Sequence, residues 1–125
     1  MKKMLSIMLF VLATQTANGA EALFQGLLQS LPENPEVVIL ELTLLPGQVG
    51  NPHRHDAWVY VYVLEGAVDM QVEGGPVTRV STGEMFLEGP EDIHVMNNNA
   101  STMEQARFLA ILIKDANKPV VLPAN

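Results

Sequence analysis

His53 and His55 lie one residue apart at the head of a strand-forming run, Trp58 to Leu64, and His94 follows 39 positions after His55; these are the only histidines in the chain. In an extended strand, residues i and i+2 share a face, so His53 and His55 present two imidazoles side by side. Imidazole is the commonest protein ligand for transition metals. A fold that brings His94 opposite this pair makes a three-nitrogen metal site with coordination positions left open. Cysteine is absent, which excludes disulfides, thiolate ligands and a cysteine nucleophile.

The elements that must position these histidines belong to a short chain. Its 125 residues, 48 % apolar and 17 % charged, suit one domain with a core of reasonable size. Residues 1–19 read as a secretory signal peptide. Lys2 and Lys3 precede the apolar run Met4 to Ala13, and small residues stand at Ala17 and Gly19. The run is too short to span a bilayer, which takes about 20 residues. The expected mature domain, 20–125, carries 5 basic and 14 acidic residues, a formal charge of −9. That surface repels phosphate backbones and anionic lipids; the expected partner, a small-molecule ligand or substrate, is read from the histidine site and not from the charge. Neither nucleic acid nor, after signal cleavage, a membrane is expected. The expected location is the periplasm or the exterior.

Ala22 to Leu31 has leucines at helical spacing, weakened by Gly26 and ended by Pro32 and Pro35. It reads either as a short N-terminal amphipathic helix or as ordered coil. From Glu36 the chain becomes strands and turns: 36–45, 57–64, 67–72, 77–80, 85–88, 93–96 and 105–114, punctuated by Pro46-Gly47, Glu65-Gly66, Gly74-Gly75 and Gly89-Pro90. The tail from Ala116 reads as irregular. Many short strands with no helix between them indicate an all-β antiparallel sandwich or barrel.

Gly47, then His53-Arg54-His55 after five residues, then Tyr62-Val63-Leu64-Glu65-Gly66, resembles the first motif of the cupins. Gly83, ten residues, His94, three residues and Asn98 resemble the second. The resemblance covers about 36–114 and implies a small antiparallel β-barrel of jelly-roll type. It also implies metal ligands at His53, His55 and His94. The family's first motif normally adds a glutamate four residues after the second histidine, and this chain has Val59 there. In the second motif, Gly89 and Glu91 stand where proline and glycine are usual.

A neutral three-histidine site keeps an ion's full +2 charge, which a carboxylate would lower to about +1. It resembles the three-histidine cupins, which include iron-dependent dioxygenases. The expected cofactor is one divalent transition metal per chain: Fe, Mn, Cu, Ni or Zn. Dioxygenase, lyase or isomerase chemistry on a small oxygenated molecule is one reading. The other is a non-catalytic module that binds a small ligand or a metal. Gln48, Asp56 and Glu88 stand as alternatives for a fourth ligand. By parity Trp58, Tyr60 and Tyr62 form an outer strip suited to a homodimer contact. Parity also turns Arg54 away from the ligands toward an acidic partner, and places Asn98 on the His94 face. Met70, Met85, Met96 and Met103 read as barrel lining.

Overall fold

The computed structural model describes residues 19–125, so the signal-peptide reading lies outside the described residues except at Gly19. The described residues build nine strands: β1 (Pro35–Leu44), β2 (His53–Arg54), β3 (Ala57–Glu65), β4 (Ala67–Val72), β5 (Thr78–Ser81), β6 (Met85–Glu88), β7 (His94–Asn99), β8 (Ala106–Asp115) and β9 (Leu122–Pro123). They form two antiparallel sheets, ordered β1-β8-β3-β6 and β5-β4-β7-β2-β9. The β-barrel architecture expected from the turn spacing is present.

Period-two alternation decides which side chains face inward. In β3, Ala57, Val59, Val61 and Val63 are each at most 2 % exposed, while Trp58, Tyr60 and Tyr62 between them are half-buried on the outer side. β8 repeats the pattern with Ala106, Phe108, Ala110 and Leu112 inward. Across the barrel, β4 contributes Val68 and Met70, and β5 contributes Val80. Removing a valine side chain of this kind from water contributes about 1.5–3 kcal/mol. Lys114 continues the inward row of β8. Its ammonium is satisfied at the barrel end by Glu36 Oε1 and the Asp115 carbonyl, each at 2.7 Å.

Residues 22–31 form ordered coil, with no helix. A single ten-residue amphipathic segment is marginal as a helix on its own, and the outer face of β3 offers it better partners. Phe24 meets Tyr60 edge-on at 5.2 Å, and the Ser30 carbonyl accepts a hydrogen bond from Trp58 Nε1 at 3.0 Å. The chain itself therefore covers part of the outer aromatic strip.

The tail is not irregular throughout. Leu122 and Pro123 form β9 and pair with Arg54 and His53. Arg54 spends its Nε–H on the Pro123 carbonyl at 3.2 Å rather than on an acidic side chain. A bulge in β7 leaves Val95 without a partner, because Gln71 pairs with Met96 and Val72 with His94. The extra residue flips the parity beyond it. Asn97 and Asn99 pair with the buried Met70 and Val68, so they face inward. Asn98 pairs with Asp69 and faces outward, away from the His94 face, where its Oδ1 accepts from the Gly50 amide at 3.3 Å. Asn99 is a structural bracket, since its Nδ2 donates to the carbonyls of Leu44, Leu45 and Glu104.

Two outcomes are expected from these contacts. A Cβ built on Gly50 would stand 2.6 Å from the Asn97 carbonyl oxygen, a backbone atom with no room to withdraw. Gly50→Ala should therefore cost about 1–3 kcal/mol and lower the melting temperature by several degrees; an unchanged melt contradicts the close approach. Truncation after Lys118 deletes β9 but leaves the β1-β8-β3-β6 core. The shortened protein should remain folded by circular dichroism, while backbone amides of 53–55 lose protection in hydrogen exchange. Undiminished protection there would contradict the pairing.

Candidate functional site

The three histidines converge although they do not sit on one continuous strand. His53 lies in β2 and is the direct cross-strand partner of His94 in β7. The chain then leaves that sheet at Asp56, the one non-glycine residue with positive φ among the described residues (φ 51°). It enters the opposite sheet at Ala57, and His55 sits at this crossing. The ring centroids of His53 lie 4.7 Å from His55 and 5.1 Å from His94. The expected grouping is therefore present, although the parity argument holds only from Ala57 onward.

Backbone carbonyls hold two of the rings. His53 Nδ1 donates to Asn51 O and His55 Nδ1 to Val120 O, both at 2.7 Å. A carbonyl only accepts, so each Nδ1 carries a proton and each neutral ring keeps its lone pair on Nε2. This is the outer-shell arrangement that orients metal-binding imidazoles. Burial, the largest influence, lowers the His55 imidazolium pKa from its usual value, which favours the neutral ring. The Val120 carbonyl and Glu88 oppose that shift, and the neighbouring histidines reinforce it.

Glu88 completes the cluster. It is 2 % exposed, its Oε1 touches His94 Nδ1, and its Oε2 lies 3.9 Å from His55 Nε2. The contact with His94 lacks the direction of a hydrogen bond, and Oε1 has no hydrogen-bond partner. Of the two alternatives to Glu88, Gln48 closes its own turn by accepting from the Leu45 amide at 2.8 Å, and Asp56 is held by Lys118 Nζ at 2.6 Å. Neither side chain is used at the cluster.

The cluster lies at the wall of a cavity of about 540 Å³. Leu40, Leu42, Val59, Val61, Met70 and Phe108 supply apolar walls, and Val121 and Leu122 of the tail close one side. Asn97 adds a polar group whose buried Oδ1 has no partner. Among the described residues, the buried side-chain nitrogen and oxygen atoms without a hydrogen bond are Glu88 Oε1, His94 Nε2 and Asn97 Oδ1, and all three belong to residues lining this cavity. Of the four methionines read as lining, Met70 lines it, whereas Met103 is 85 % exposed.

No three His, Asp or Glu side chains among the described residues already stand as a finished cation cage. The residues nevertheless fit a divalent transition ion by their chemistry. Two Nε2 lone pairs are fixed by outer-shell carbonyls, a third imidazole carries a buried unpaired nitrogen, and a buried carboxylate adjoins them.

Comparison with solved structures returns proteins of the same architecture. The DMSP lyase of Ruegeria pomeroyi is 16 % identical with a TM-score of 0.62, over 70 % of this chain and 42 % of that one. The polyketide cyclase RemF of Streptomyces resistomycificus is 23 % identical with a TM-score of 0.58, over 72 % and 61 %. An uncharacterised Klebsiella pneumoniae protein with a double-stranded β-helix domain is 16 % identical with a TM-score of 0.59, over 92 % and 96 %. The chain thus spans less than two thirds of each of the two enzymes. No curated protein sequence matches it. The family model described as "Cupin domain" matches residues 40–112, more than half the chain and the segment that carries all three histidines, so the chain belongs to the cupin family.

Proposed function

We propose that this cupin holds one divalent transition ion on His53, His55 and His94 and uses it on a small molecule taken into the adjoining cavity. The observation that carries the proposal is the collection of unpaired buried polar atoms, Glu88 Oε1, His94 Nε2 and Asn97 Oδ1, at one cavity. Buried polar atoms without partners are rare in folded proteins, and a metal ion together with a bound oxygen compound satisfies all three. When bound, the ion supplies Lewis-acid or oxygen-activating chemistry. Read with the expected signal peptide, this activity belongs outside the cytoplasm.

The walls select the molecule. Most of the side chains that line it are aliphatic or aromatic, so a compound must be apolar over most of its surface. The histidine cluster at one end demands oxygen donors there. Asn97 Oδ1 accepts a hydrogen bond, so a hydroxyl or N–H on the compound would satisfy it. An enol or hydroxyketone on an apolar skeleton meets all three conditions. A small dianion meets only one.

Elemental analysis of the mature protein should find about one transition ion per chain. The variant His53→Ala/His55→Ala/His94→Ala should carry none, and full metal content in it would contradict the proposal. With cobalt(II) as probe, tropolone, an apolar chelating hydroxyketone, should perturb the visible spectrum at lower concentration than oxalate. The reverse order would contradict the assignment of substrate class.

A further inference from the structure

The residue that stands in the family's glutamate position, Val59, is paired across the β3–β6 ladder with Glu88. Directly opposed residues of an antiparallel pair share a face, with Cβ atoms about 4.5–5.5 Å apart. Moving a carboxylate from position 59 to position 88 therefore shifts its anchor by one strand and keeps it pointing into the barrel. We propose that Glu88 is the fourth protein ligand of the site, supplied from the neighbouring strand in place of the first-motif carboxylate that Val59 replaces. The inference rests on the metal-binding reading above and adds the ion's charge and coordination number to it.

Three further facts support it. Glu88 is 2 % exposed, and its Oε2 lies 3.9 Å from His55 Nε2, a separation two ligands of one ion can have, while its Oε1 lies against the other ring nitrogen of His94, Nδ1. All five Lys and Arg residues after position 19 are committed elsewhere: Arg54 to the Pro123 carbonyl, Arg79 to Asp69, Arg107 to Glu41 and Glu65, Lys114 to Glu36, and Lys118 to Asp56. A buried carboxylate without a cationic partner is expensive, and positive charge held within the site would offset that cost for this one. Val59 is 1 % exposed and apolar, and it leaves the space beside the cluster without a competing polar group.

A carboxylate ligand lowers the effective charge of a divalent ion from +2 to about +1. An octahedral ion would keep two positions for substrate instead of three. The site is then of the three-histidine, one-carboxylate kind, with its acid transposed.

Cobalt(II) titration of the mature protein, followed by affinity and by the visible d–d spectrum, tests the assignment. Glu88→Gln is nearly isosteric, and its amide oxygen can still lie against His94 Nδ1, so a residue that merely positions His94 would tolerate it. As a ligand, Glu88 predicts a loss exceeding about 100-fold, beyond the roughly 10–100-fold cost of an outer-shell partner, together with a changed spectrum. The transposed variant Val59→Glu/Glu88→Val should regain both affinity and spectrum relative to Glu88→Val. Binding by Glu88→Gln within about 10-fold of wild type, with an unchanged spectrum, would overturn the assignment while leaving the three-histidine site standing. No cobalt bound by the wild-type protein would overturn the metal reading itself. Should the transposed pair fail to fold, the Glu88→Gln result decides alone.

Discussion

A carboxylate buried in an apolar barrel is costly unless positive charge meets it, and among the described residues the charge partners beside Glu88 are His55 and His94. The surrounding structure follows from that constraint. The inner faces of β1, β3, β4 and β8 are aliphatic or aromatic around the site, which raises the energy of any unbalanced charge. Among the described residues, Arg79, Arg107, Lys114 and Lys118 form ion pairs of their own at the barrel end or on the surface, and Arg54 is held by the Pro123 carbonyl. Positive charge can therefore reach Glu88 in two ways, by protonation of an imidazole or by a cation. Burial works against protonation at His55. A divalent ion avoids this difficulty, because neutral imidazoles are the form that binds it.

The scaffold positions the histidines from several directions. His53 is fixed by its pairing with His94 and by the Asn51 carbonyl. His55 sits where the chain passes from one sheet to the other through the left-handed Asp56, and a carbonyl from the tail, 65 residues later, orients its ring. Pairing of β9 with β2 holds that tail in place. The tail thus serves both as a wall of the cavity and as the outer-shell support of a ligand, roles that a loose terminus would not fill.

Most of the barrel was legible in the sequence. The alternation Ala57, Val59, Val61, Val63 against Trp58, Tyr60, Tyr62 showed which side of β3 faced inward. The glycine–proline turns set most of the expected strand limits to within a residue, although β7 runs three residues past its expected end at Met96, and the histidine spacing in the two motifs identified the cluster. Other features depended on non-local pairing or on local breaks in periodicity. The crossing at Asp56 leaves His53 in β2 and His55 in the link between β2 and β3, although their spacing suggests one strand. The bulge at Val95 moves Asn98 outward and Asn97 inward, and no residue type announces it. Strand β9 is two residues long and gains its order from pairing with β2. Glu88 was one of three candidates for the fourth ligand. Singling it out required the register Val59↔Glu88, which sequence spacing alone does not contain. The leucine spacing of 22–31 was a helical signal overridden by aromatic contacts on β3.

Anomalous diffraction at the cobalt edge from crystals of the cobalt-loaded mature protein tests the central claim most directly. The account predicts one peak per chain, with Nε2 of His53, Nε2 of His55, a ring nitrogen of His94 and an oxygen of Glu88 all at about 2.0–2.2 Å. A barrel with no peak at this cluster, or a peak ligated by the histidines while Glu88 remains apart from it, would contradict the account.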